Sequence, residues 1–403
     1  MKKLHNSNKI KAISNCLFDN SDGKVGSLLW LQRTKKPLAI NSNEKVSIVD
    51  LFCGCGGFSL GVVEAAVARN LSPEIKLAID SDSEALKVYA KNFKDYGTNF
   101  IEDDISNQFP GKLGAAMHHV EKRHSKNLGN IDFLIAGPPC QGHSDLNNRT
   151  RRNDPRNKLY LKVVRAIEVL NPKIAIIENV ASVKHDKSEV VRKSIEKLKA
   201  LNYSIEEMNI NALEYSVAQN RKRHLLIAHK VKLPFTINAF IEGLDWEPLA
   251  LKDVIKDIIE KPEQSSEMFE KPSKTNAENI DRISYLFKNK LFNLPNDKRP
   301  PCHQANQHSY LSMYGRLKWN LPSQTITTGF GSIGQGRYIH PSKKRVITPH
   351  EAARIQGFPD YFNFSIVKKR ITLQTIIGNA VPPPIGAVFS SFLMDFIGKE
   401  HHV

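Results

Sequence analysis

From Val46 onward the chain repeats one pattern: a short apolar run, a turn, then an amphipathic stretch. The runs are 46–52, 76–80, 131–136, 173–180 and 223–230. Each of the first four ends in a turn or cluster rich in glycine, proline or acid. Between them, 58–70, 83–93, 159–170 and 188–201 place apolar residues at helical spacing. Continuous apolar runs mark strands buried on both faces. Alternation of such strands with helices favours a parallel sheet with helices on both sides. The expectation is an α/β fold with a doubly wound, mostly parallel sheet. Ligands of such sheets bind beyond the carboxyl ends of the strands, so the strand ends are the places to search.

The rhythm divides the chain. Residues 1–45 are polar and basic and read as a leader that packs loosely or stays mobile. Residues 46–230 carry the βα units. Residues 231–347 are richer in Pro, Asn and Gly and lack the alternation, which suggests a smaller irregular domain. Residues 348–403 turn helical again at 349–358 and 373–396, apolar enough to return to the first domain. A chain of 403 residues can hold both.

Charge narrows the partners. The formal net charge is +17, which points to a polyanion, with nucleic acid first. The positive groups cluster: Arg149, Arg151, Arg152, Arg156, Lys158, Lys162 and Arg165 stand against Asp145 and Asp154 alone. That segment suits a surface that follows phosphates. No apolar run in the sequence reads as a membrane span, no signal peptide is evident, and a cytoplasmic protein is expected. Five cysteines form no disulfide framework. Cys53 and Cys55 have no partner pair at zinc-ligand spacing, so no metal is expected.

Four strand ends carry chemistry. After the first strand comes a Gly-rich turn, Asp50 to Phe58, with Gly54, Gly56 and Gly57 opening a helix. Such a turn lets backbone amides approach a ligand. Asp80, one βα unit later, can take the hydroxyls of a ribose. Asp104 with Ile105 closes the next unit and could read an adenine amino group. Together they suit a nucleoside cofactor. Second, Gly137-Pro138-Pro139-Cys140 follows the 131–136 run. The prolines stiffen the backbone and leave Cys140 at the strand mouth, beside a positive field that favours a thiolate. Third, Glu178-Asn179-Val180 ends the next run, where a carboxylic acid can hold or donate a proton. Fourth, Gln219 to His224 opens the last strand, and Arg221 and Arg223 are expected to point to different faces, one toward the site and one into the structure.

In this order the motifs resemble those of the DNA cytosine-5 methyltransferases. DLFCGCGGF looks like the family's cofactor loop, GPPCQ its nucleophile motif, ENV its acid motif and QNRKR its arginine motif. RLKWNLPSQTITT, GQGRYIHP, ITPHEAARIQGFPD and GNAVPPP resemble its remaining blocks. The likeness spans about 46–396, leaving the leader and much of 231–310 outside.

The resemblance implies a Rossmann-like methyltransferase fold with S-adenosylmethionine as methyl donor. Cys140 would add to carbon 6 of a flipped-out cytosine, with Glu178 at the ring nitrogen. Arg223 would stand at the ring carbonyl, and Arg221 near the nucleophile or the phosphate. Phe52, Gly54, Cys55, Gly56, Gly57, Asp80, Ser81, Asp104, Ile105, Pro139, Asn379 and Val381 would form the cofactor pocket. Gln141, Ser144, Arg149, Arg156 and Arg316 would meet duplex DNA. Segment 231–315 is expected to read the site through a few residues such as Arg282, Arg299 and Arg316. His143 stands where the family usually has phenylalanine. A monomer is expected, either the partner of a cognate restriction endonuclease or a solitary modification enzyme. A tRNA cytosine-5 methyltransferase is the rival of like chemistry, and a non-catalytic nucleic-acid binder the rival of another class. Without GxGxxG a nicotinamide oxidoreductase is disfavoured.

Overall fold

The computed structural model describes residues 26–37, 42–97, 99–139, 158–186, 188–244, 248–260, 268–304 and 312–397. Its strands are β1 (Lys45–Leu51), β2 (Ser72–Asp80), β3 (Phe100–Glu102), β4 (Phe133–Ala136), β5 (Ile174–Val180), β6 (Ser204–Asn211), β7 (Gln219–Asn220), β8 (Lys222–His229) and β9 (Ser323–Gln324). Seven form one sheet in the order β3-β2-β1-β4-β5-β8-β6. The first five run parallel, and β8 enters antiparallel between β5 and β6. β7 and β9 make a separate parallel pair. Strand order reverses between β1 and β4. That switch opens a crevice at their carboxyl ends, where the Gly-rich turn and Gly137 lie.

Both sheet faces are covered, as the apolar runs required. On one face Ile48, Phe133, Ile176 and Leu225 pack with the helices Gly57–Val67, Ser83–Phe93 and Pro383–Met394. On the other, Leu51, Leu134, Ile177 and Leu226 pack with His119–Leu128, Lys158–Leu170 and Val190–Ala200. Local signals set the helix starts. Asp82 accepts hydrogen bonds from the amides of Glu84 and Ala85. Thr348 and Glu351 form a reciprocal capping box, with Pro349 in the first turn. Helix Gly57–Val67 is buried nearly all round because Pro383–Met394 lies against it. A Cβ on Gly61 would fall 2.2 Å from the Pro383 carbonyl oxygen.

Three expectations about layout change. The leader is not loose over its described part: Trp30 and Leu31 lie in the main core. Trp30 Nε1 and Arg33 donate to Glu64, and the main chain of Leu31 and Arg33 accepts from Asp360 and Tyr361. The segment 231–347 is not one unit. Ile237, Phe240, Leu251, Val254, Ile255, Leu317, Ile326 and Phe330 join the main core. A separate small core holds Ile283, Leu286, Leu294, Tyr314, Ile333, Ile339 and Val346. Finally, and against the expectation of no such run, Arg370–Met394 is long and apolar enough by composition to cross a membrane. It lies mostly buried, as two helices broken at Ala380 to Pro382.

Candidate active site

Three strand ends converge on the crevice. The amide of Cys53 donates to the carbonyl of Ile79, and that of Gly137 to Leu51. Between these anchors the chain turns sharply, and Phe52 takes φ +58, which is strained for a bulky residue. Asp80 ties the two loops together. Its Oδ2 accepts from the Gly54 amide at 2.7 Å and its Oδ1 from the Asp82 amide at 2.8 Å. Each oxygen keeps a second lone pair that a ribose hydroxyl could use. Burial raises the Asp80 pKa, against the opposing pull of these amides.

The three glycines of the turn divide their work. A Cβ on Gly56 would meet the Phe93 ring at 2.2 Å, and one on Gly57 the Val381 carbonyl oxygen at 2.2 Å. Both are packing glycines. Gly54, at φ +53, has no heavy atom of the described residues within 4 Å of its Cβ position, its chain neighbours aside. Among the described residues it is the one of the three with room beside it, as a ligand cradle requires. Cys55 and Ile105 are buried, with side chains in the two cores, so they offer a ligand only main-chain atoms. Asp104 is exposed, and its Oδ1 caps the Ser106 amide. Ser81 and Asn379 are exposed at the rim, and Val381 is half-buried.

Beneath the turn lies a group outside the expected set. Buried Asp50 accepts from Ser59 Oγ at 2.7 Å, and Ser59 Oγ is 2.7 Å from the Tyr89 hydroxyl. Burial pushes the Asp50 carboxyl up to about 8. Asp50 opens DLFCGCGGF, and a carboxylate within the apolar run 46–52 was the available signal.

Glu178 and Arg223 meet at the next strand end. Arg223 Nε lies 2.8 Å from Glu178 Oε1, both side chains nearly buried. The buried amide of Asn179 donates to the Pro138 carbonyl, which ties the acid motif to the turn before the cysteine. Cys140 itself lies outside the described residues, as do Gln141, His143, Ser144, Arg149 and Arg156. Pro139 is half-buried at the edge of the described chain.

Arg221 takes another role than expected. It is buried, and its guanidinium donates to the carbonyls of Ile326, Gly378 and Ala380. These hydrogen bonds spend it on the main chain. Residues two apart on an unbroken strand share a face. Arg221 and Arg223 diverge because the strand is broken between β7 and β8, not because they alternate. Arg316 is likewise engaged: Nε and one terminal nitrogen donate to the Pro341 carbonyl, and the head lies 4.0 Å from the Phe287 ring centroid. Arg282 donates to Asn279 and to the Lys298 carbonyl. In the basic run, Arg165 is buried in ion pairs with Glu121 and Glu168, and Lys162 donates to the carbonyls of Phe109, Pro110 and Gly111. Of these side chains Arg165 is buried in the fold, and Arg282, Arg316 and Lys162 are half-buried with hydrogen bonds to the main chain.

Comparison with known proteins identifies the family. The model of the C-5 cytosine-specific DNA methylases matches residues 46–390. The Bacillus subtilis Type II methyltransferase M1.BsuMI is 44% identical over 88% of this chain and 81% of its own. The Herpetosiphon aurantiacus Type II methylase M.HgiDII is 27% identical over 88% of this chain and 97% of its own. The Schizosaccharomyces pombe (S. pombe) Dnmt2 methyltransferase structure superposes with a TM-score of 0.60 at 17% identity, over 87% of this chain and 99% of that one. That last likeness speaks for the fold. With a crevice at the switch point, an acid and arginine paired beside it, and a family model covering most of the chain, the protein belongs to the C-5 cytosine-specific DNA methylases.

Proposed function

We propose that the chain methylates carbon 5 of a cytosine drawn out of duplex DNA, with Cys140 as nucleophile, Glu178 as acid and S-adenosylmethionine as donor. The observation that carries this reading is the Glu178–Arg223 pair at 2.8 Å, joined through Asn179 to the Pro138 carbonyl two residues before Cys140. Cytosine is a poor nucleophile at carbon 5, so the Cys140 thiolate adds first to carbon 6. Glu178 holds a proton at the ring nitrogen, which keeps the released electron pair as an enamine that is nucleophilic at carbon 5. Arg223 supports the ring carbonyl from beside Glu178. After transfer a base takes the carbon-5 proton, and Cys140 leaves as thiolate to restore the ring.

S-adenosylmethionine, when bound, supplies a methyl group activated on a sulfonium. The residues fit such a donor. Gly54 faces open space within a packed loop, and Asp80 beside it keeps acceptor capacity. Phe52, Gly54, Asp80, Ser81, Asp104, Pro139, Asn379 and Val381 would hold it, with main-chain atoms of Cys55, Gly56, Gly57 and Ile105. Gln141, Ser144, Arg149 and Arg156 would meet DNA, where phosphate contacts offset the few kcal/mol, roughly, of lost stacking. The Type II relatives support a prokaryotic-type modification enzyme; in this reading it works in the cytoplasm as a monomer, beside a restriction endonuclease or alone.

Incubation with labelled donor and either duplex DNA or tRNA tests the substrate. Bisulfite sequencing of the product reports base and site. Label in DNA at cytosine, and a covalent adduct with 5-fluorocytosine DNA that Cys140→Ser abolishes, are expected. Label in tRNA alone, or no adduct, overturns the reading.

A further inference from the structure

We propose that Arg221 is a positioning residue that locks segment 323–328, which leads into the small core, to segment 377–381, which borders the donor pocket. The clamp thereby sets the spacing between the two substrates. The inference rests on the function proposed above.

The seam is built from both sides. Helix Arg370–Asn379 ends with carbonyls that its own turns cannot satisfy. Arg221 donates to two carbonyls there, Gly378 at 3.4 Å and Ala380 at 3.2 Å, and to Ile326 across the seam at 3.1 Å. A planar guanidinium can serve all three at once, where a lysine ammonium is a point donor. Gln219, on β7, holds the other side of the same residue: its Oε1 accepts from the Ile326 amide at 2.8 Å. Its Nε2 donates to Gln356, which donates to the Ile377 carbonyl. A second observation is independent of these polar contacts. A Cβ on Gly378 would fall 2.5 Å from the backbone of both Thr327 and Thr328. The two segments touch main chain to main chain, and glycine is what permits it.

The clamp reaches both halves of the site. Val381 follows Ala380 directly. Its carbonyl oxygen abuts Gly57 of the donor loop, and its Cγ2 lies 3.5 Å from the Cβ position of Gly137, before the nucleophile. Arg223 stands two residues after Arg221 and pairs with Glu178. Loosening the clamp shifts the donor loop, the nucleophile turn and the small-core segment relative to one another. A misplacement of 1 Å at reacting atoms costs about 100-fold in rate.

The test compares Arg221→Met, Arg221→Lys and Gly378→Ala for kcat, donor KM, binding of S-adenosylhomocysteine and melting temperature. Arg221→Met is expected to lose about 100-fold in kcat and to bind S-adenosylhomocysteine more weakly, and Arg221→Lys to recover about tenfold of the rate. Gly378→Ala keeps the arginine but wedges the seam, and should show the same pattern. If Arg221→Met does not fold, Arg221→Lys and Gly378→Ala carry the test. Unchanged kcat and KM in all soluble variants overturn the clamp. So does a loss no larger than that of Trp30→Ala at equal fall in melting temperature. If the wild type methylates no DNA, the proposed function fails instead, and S-adenosylhomocysteine affinity still reads the clamp.

Discussion

Replacing Trp30 with alanine should unseat the segment 26–37 from the body of the protein. Trp30 is fully buried in the main core. Its Nε1 donates to Glu64 at 3.3 Å, on the helix whose N-terminus carries the donor loop. A buried tryptophan covers roughly 200 Å², which at about 25 cal/mol per Å² gives about 5 kcal/mol. Measured truncations of this kind cost about 3–5 kcal/mol. Glu64 keeps Arg33 and the Tyr361 hydroxyl as donors, so it adds little to the loss. At about 2.1 cal/mol/K per residue, a chain of 403 residues unfolds with an entropy near 0.85 kcal/mol/K. The melting temperature should therefore fall by about 4–6 °C. Calorimetry measures it. Trypsin cleavage near Arg33 and Lys35 should accelerate in parallel, because the opened segment exposes its backbone. Trp30→Phe, which keeps most of the apolar area, should fall less. Melting within about 1 °C of wild type and unchanged proteolysis would refute the packing argument.

Other outcomes follow from the site. Glu178→Gln should lower kcat by about 10²- to 10⁴-fold, the range of a positioned acid, while S-adenosylhomocysteine titrations stay unchanged; equal loss of binding would contradict its role toward the base. Gly54→Ala places a methyl in the open space beside Asp80 and forces alanine to a positive φ, costing about 1–2 kcal/mol in stability. Donor affinity should fall further than that cost explains, and affinity measured against melting temperature decides. Stability should also titrate through His350. Burial pushes its pKa down, but Asp360 and Glu270 outweigh burial and hold it up at about 9. A raised folded pKa gives stability that is full below the unfolded value of 6.5 and is lost as pH rises through 9. The loss is about 3 kcal/mol at most, and His350→Gln should remove it from the pH profile of denaturant melts.

Local sequence suffices to specify the sheet and the strand ends where chemistry gathers. Strands buried on both faces must be apolar without interruption, and chain reversal at their ends needs glycine, proline or a capping acid. Both requirements are written locally, so Asp80, Gly137, Glu178 and Arg223 were legible as strand-end residues. Helix Ser83–Phe93 carries its own Asp82 cap and was legible to the residue. Long-range packing selects which of several like residues meets the crevice. Gly54, Gly56 and Gly57 read alike in the chain, but Phe93 and Val381, each brought in by a distant element, fill the space beside two of them. Arg221 and Arg223 also read alike. One is surrounded by the carbonyls of Ile326, Gly378 and Ala380 and the other stands beside a carboxylate. The seating of Trp30 depends on Glu64 and Tyr361, far along the chain. A side chain's type says what it can bind; its partner comes from segments tens to hundreds of residues away, and that pairing is set only when the cores close.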